Sequence, residues 1–133
     1  VLGKVIASTS MIDYITQNAE LLETIGIFFP FILAAILKSA QGSSTVALTT
    51  TAGIVAPILP VLGLDSPIRA TLAVMAIGAG AMTVSHANDS YFWVVTNFGA
   101  MTPEKGYKTQ TIATLVLGLS GMLEIFILSL FLH

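Results

Sequence analysis

The chain has 133 residues, 55% of them hydrophobic and 9% charged, with a formal net charge of −2. A soluble domain carries about 25% charged residues, so this composition cannot clothe a water-exposed globule and points to a membrane protein. Mild acidity offers no basic stripe for nucleic acid, and the lack of cysteine excludes disulfides and thiolate metal sites.

The chain opens on Val1-Leu2-Gly3-Lys4, with neither an initiator Met nor a signal-peptide pattern. It is therefore expected to be the tail of something longer. Over residues 1–24, Ile6, Met11, Ile12, Ile15, Ala19 and Leu22 recur at roughly helical spacing beside Asp13, Gln17, Glu20 and Glu23. Ser8 to Ser10 offer N-caps. This predicts an amphipathic lead-in helix, either at the membrane interface or simply connecting to a neighbour.

The apolar run over 25–38 would make a helix of about 21 Å, against about 30 Å of hydrocarbon. A polar patch, S-A-Q-G-S-S-T (39–45), follows, and then a second apolar arm weakened by Gly53, Pro57 and Pro60. Short arms around an uncharged polar tip predict a re-entrant hairpin over 25–62 with its tip at 39–45. One kinked span plus a loop is the alternative.

Asp65, Ser66 and Pro67 mark a helix start. Residues 68–101 are too long for one simple span and too interrupted for two, so a broken transmembrane helix is expected, with its break at 84–90. A hydrophilic loop (102–110) and a final transmembrane helix (111–133) complete the prediction. The fold class is all-α membrane protein, and paired interrupted hydrophobic segments point to the binding site of a secondary transporter.

Each polar patch has its own chemistry. Gln41, Gly42, Ser43, Ser44 and Thr45 combine hydroxyls, an amide and the N-terminus of the second arm, which receives carboxylates without a Lys or Arg. Plain helix capping is the blander reading. In S-H-A-N-D-S (85–90), an acid at membrane depth is a functional candidate by default. Asp89 and His86 can exchange protons, and Asn88 can present the donors and acceptors a polyol requires. A loop between ordinary spans is the competing reading here.

One His and one Asp are too few for zinc, and no metal or cofactor is expected. Gly78 and Gly80 suit close helix packing. Glu124 is expected to pair with a polar group on a helix outside this chain, and Lys38 to snorkel to the interface. No phosphate loop, nucleophile elbow or metalloprotease motif is present, so no enzyme is expected.

The stretches A-Q-G-S-S-T-V-A-L (40–48), A-G-I-V-A-P-I-L (52–59) and A-M-T-V-S-H-A-N-D-S-Y-F-W-V-V (81–95) resemble the C-terminal part of the gluconate permease family of proton symporters. The likeness runs from about Phe28 to the end, and H-A-N-D-S-Y-F-W is its most specific run. It implies a multi-pass carrier in the bacterial inner membrane that imports gluconate or a related sugar acid with protons. It also implies a fold of two inverted repeats, of which this chain is the second.

By that resemblance, Ser43, Ser44 and Thr45, with Ser85, His86, Asn88 and Asp89, fall in the substrate region. Expected partners are the sugar acid, the proton, the lipid bilayer and the N-terminal repeat, and a homo-oligomer is compatible. The expected mechanism sets the cargo carboxylate near Ser43 to Thr45, its hydroxyls on Asn88 and Gln41, and the proton on Asp89 or His86. Lys105 and Lys108 would place 102–110 in the cytoplasm and the C-terminus in the periplasm. The competing readings are a permease for D-serine or another small carboxylate, and a membrane-anchoring or assembly subunit that transports nothing.

Overall fold

The computed structural model describes residues 25–132 together with Gln17. The expected lead-in helix, residues 1–24, lies outside the described residues apart from Gln17, which is helical. The described residues are helical with no strand.

Helix α1 (Phe28–Gln41) ends at Gly42, whose φ of 71° places it in the left-handed region. The Gly42 N–H closes the helix on the Lys38 carbonyl at 2.8 Å, the turn glycine favours because it lacks a Cβ. Helix α2 (Ser44–Val55) starts immediately, with the Ser43 hydroxyl accepting from the Val46 N–H. A 3-10 turn over Ala56–Ile58, with Pro57 in it, extends α2. The two arms thus turn back on each other across Gly42 and Ser43.

Helix α3 (Pro67–Met82) is capped by Ser66, which accepts from the Arg69 N–H, and has proline in its first turn. It runs against α1 along much of its length. At the crossing, a Cβ on Gly80 would run into the Phe31 carbonyl oxygen and lie 2.8 Å from the Ala34 Cβ. Gly80 therefore meets the packing expectation, whereas Gly78 has nothing within 4 Å. A core of Phe31, Ala34, Val55, Ile58, Leu72, Ala73, Ala76, Ile77, Met122 and Ile125 joins α1, α2, α3 and the last helix.

After Met82 the chain leaves helical geometry until α4 (Ser90–Phe98). Within that stretch Val84 has φ 58°, a conformation that costs a β-branched residue energy and persists only where its surroundings fix it.

The last helix departs from expectation. Residues 102–110 are not a loop, since one helix, α5, runs unbroken over Pro103–Phe131. Thr102 caps it by accepting from the Lys105 N–H, Pro103 occupies the first turn and Glu104 follows. These are helix-start signals, and they outweigh the polarity that suggests a hydrophilic loop. A Lys108–Glu104 contact at 2.7 Å, one turn apart, supports the same turn. A π-helical turn spans Tyr107–Thr111 before regular helix resumes at Ile112.

Among the described residues, α5 is the one helix long and apolar enough to cross a membrane. Its outer face exposes Leu115, Val116, Leu119, Leu123 and Phe131. A surface this apolar belongs against lipid or other helices rather than water.

Candidate functional site

The hairpin tip and the interruption between α3 and α4, far apart in sequence, are in contact. The Asn88 side-chain amide donates to the carbonyls of Ala40 at 2.9 Å and Ser39 at 3.3 Å, occupying acceptors that the end of α1 leaves open. Gly42 lies directly against the Asn88 backbone, so that a Cβ there would collide with the Asn88 carbonyl oxygen.

The interruption is tied to α5 as well. The Ser85 N–H donates to the Thr114 hydroxyl at 2.8 Å, and the Thr111 hydroxyl donates to the Ser85 carbonyl at 2.5 Å. Backbone groups that helix geometry would have satisfied are met by side chains here, as buried backbone polar groups require. The Trp93 indole N–H closes onto the Ala87 carbonyl at 2.9 Å.

At the centre of these ties is a buried ion pair. Lys38 Nζ lies 2.7 Å from Asp89 Oδ2, and the two residues are only 2% and 5% exposed. Asp89 Oδ2 also accepts from the Ser85 hydroxyl at 2.8 Å, and Oδ1 accepts the Tyr91 N–H at 3.0 Å, capping α4. Lys38 further donates to the Gly42 carbonyl at 3.3 Å. The expectation that Lys38 snorkels is therefore corrected. Its position on α1 points the side chain inward at Asp89, where partnership offsets the cost of burying either charge alone.

Beside the pair opens a cavity of about 480 Å³, within the range of small-molecule sites. It is lined by Lys38, Ser44, Ser85, Asp89, Gln110 and Thr114, with Met82, Tyr91, Ala113 and Leu117. Of the residues singled out in the sequence, Ser44, Ser85 and Asp89 line it. Gln41, Gly42, Ser43, Thr45, His86 and Asn88 are not in its wall. Ser43 is used as a cap, Asn88 as a clamp on α1, and His86 Nδ1 accepts the Asn88 N–H at 3.3 Å. Glu124 borders a separate groove with Gly78, Gly121 and Met75.

Lys38, expected at the interface, lines the cavity, and so do Gln110 and Thr114, which no sequence signal singles out. A buried acid calls for a partner, a signal that points from Asp89 to some cation, and the structure makes it Lys38. Gln110 sits in the π-helical turn of α5, a local widening found often at functional sites. Among the described residues its Nε2 is buried without a hydrogen-bond partner, which in a cavity wall leaves a donor for an occupant.

A family model described as GntP family permease matches residues 1–131. The chain belongs to the GntP permease family. It is 34% identical over 123 residues to the Escherichia coli inner membrane permease YgbN, covering 92% of this chain and 26% of that protein. It is 36% identical over 120 residues to a gluconate permease of Pseudomonas aeruginosa, covering 90% of this chain and 25% of the relative. It is also 37% identical over 101 residues to the Escherichia coli Gnt-II system L-idonate transporter, covering 76% and 22%.

The chain thus spans about a quarter of the length of these curated relatives. No solved structure matches it. As a GntP family chain, it belongs among permeases and not enzymes.

Proposed function

We propose that a permease containing this chain imports gluconate or a closely related sugar acid across the bacterial inner membrane by proton symport. The observation that carries the reading is the cavity at the junction of tip and interruption, where Lys38, Asp89, Ser44, Ser85, Gln110 and Thr114 converge. A polyhydroxy carboxylate needs several donors and acceptors in one small space, and this wall offers both. Relatives named gluconate permease and L-idonate transporter point to the same class of cargo.

In this reading α1 and α2 form a re-entrant hairpin, because each is shorter than the bilayer's hydrocarbon core. Helices α3 and α4 are the halves of a broken helix, and an N-terminal inverted repeat supplies the rest of the transporter. Lys105 and Lys108, now on the first turns of α5, put that end in the cytoplasm and the far end in the periplasm. Asp89 carries the coupled proton in preference to His86, because it lines the cavity and His86 does not. Gln41, Gly42, Ser43, Thr45 and Asn88 then act by shaping the wall, with direct contact falling to Ser44 and Ser85.

The test is counterflow of labelled gluconate by the full-length permease against a panel of sugar acids and D-serine. Exchange with gluconate or idonate supports the proposal, and exchange with D-serine alone would move the cargo to another class. A protein that exchanges none of these is the anchoring subunit instead. For the proton, Asp89→Asn is expected to abolish uphill accumulation. Normal pH-dependent accumulation by that variant would remove Asp89 from the coupling.

A further inference from the structure

We propose that Lys38 is the receptor for the cargo carboxylate, sharing its ammonium between that group and Asp89, with the Gln110 amide as a second donor. The inference rests on the sugar-acid reading above and assigns its anion-binding groups. An ammonium has three N–H donors. Asp89 Oδ2 takes one at 2.7 Å and the Gly42 carbonyl another at 3.3 Å. Among the described residues no partner takes the third, and Lys38 lines the cavity. The Gln110 Nε2 donor in the same wall is buried and has no partner among the described residues. Spare donors around a buried cation suit an acceptor-only group, which an ionised carboxylate is.

The arrangement also explains why a proton must come with the cargo. Among the described residues the charged groups in the wall are Lys38 and Asp89, and Tyr91 from α4 is the one other titratable group there. Helices α2, α3 and α5 contribute Ser44, Met82, Gln110, Ala113, Thr114 and Leu117, all uncharged. Lys38 and Asp89 cancel. A second carboxylate beside the same ammonium leaves one unbalanced negative charge out of water, which is costly. One proton, taken from the aqueous side and held between the two carboxylates, cancels it. On release of the cargo the proton returns to water and the Lys38–Asp89 pair closes again. No other bond forms or breaks.

The test uses the full-length permease with Lys38→Gln and Asp89→Asn combined, which removes both charges and keeps hydrogen-bonding side chains. Counterflow needs no net proton movement, so it can be measured in this variant. A hydrogen bond to a charged group contributes about 1.5–3 kcal/mol, so half-inhibition by gluconate is expected about 10- to 100-fold higher than in the native permease. Half-inhibition by glucitol, the neutral polyol of equal length, is expected to change little. Equal competition by gluconate in both proteins would overturn the proposal.

A second measurement needs no variant. Gluconate is expected to slow amidination of Lys38 by a permeant imidoester several-fold, with glucitol having no effect, as read by peptide mass spectrometry. Equal protection by the two, or by neither, overturns the assignment even if the double variant fails to reach the membrane. A native permease that exchanges no sugar acid at all would instead refute the cargo class on which the assignment rests.

Discussion

Gly42 and Asn88 touch backbone to backbone, with no room between them for a side chain. One closes the turn of the hairpin, and the other sits in the interruption between α3 and α4. The contact is what brings Lys38 and Asp89 to the same place.

Gly42→Ala is therefore expected to be far more damaging than the same change at Gly63. Both glycines have positive φ, 71° and 69°, but a Cβ on Gly63 meets nothing within 4 Å among the described residues. Gly63→Ala carries only the left-handed backbone cost, about 1–2 kcal/mol. Gly42→Ala adds a clash with the Asn88 carbonyl. Thermal unfolding of the detergent-purified permease should show a modest loss for the first and a large one for the second. Similar losses would mean that tip and interruption are not held as described.

Neutralising one member of the Lys38–Asp89 pair should be worse than neutralising both. Lys38→Met leaves a buried carboxylate uncompensated, which costs about 3–5 kcal/mol where it has been measured in other proteins. Combining Lys38→Met with Asp89→Asn is expected to restore much of the lost membrane abundance, read by quantitative immunoblot. A double variant less abundant than either single would contradict a mutually compensating pair.

Gln110→Leu separates binding from folding. Its Nε2 has no partner within the described protein, so its loss should leave unfolding temperature nearly unchanged. The half-saturation constant for sugar-acid uptake is expected to rise about 3- to 10-fold, the equivalent of one ordinary hydrogen bond. An unchanged constant would take Gln110 out of the site.

Along α5, Gly118 and Gly121 make a second pair of contrasting positions. A Cβ on Gly118 would overlap the Thr83 hydroxyl, whereas one on Gly121 would lie 3.6 Å from the Ala79 Cβ, an ordinary contact. Gly118→Ala should displace the end of α3 and lower uptake at least several-fold. Gly121→Ala should be tolerated, and the two are compared by initial uptake rates at matched membrane abundance.

Much of the helical layout could be read from the sequence because its signals are local. Gly42 as a turn, Ser66 and Pro67 as a start, and apolar runs bounded by polar patches all act within a few residues. The stretch 102–110 departs from expectation because two local signals compete there. Its polarity suggested loop, but Thr102, Pro103 and Glu104 are a helix N-terminus, and here the capping pattern outweighs hydrophilicity. At the site, Ser44, Ser85 and Asp89 stood out as polar groups in apolar surroundings. Lys38 did not, because the direction of a long side chain at the end of a helix depends on what packs opposite it. Gln110 was hidden by the π turn, whose widened register no residue pattern announces.

The buried ion pair has one consequence for energy supply. A membrane voltage works only on net charge, at about 2.3 kcal/mol per elementary charge for each 100 mV. Lys38 and Asp89 together present none. A monovalent carboxylate arriving with one proton keeps the sum at zero, so the empty and the loaded site would cross the field equally freely. On the coupling proposed above, the charge these described residues contribute gives the voltage nothing to act on, and their part of the site draws on the difference in proton concentration.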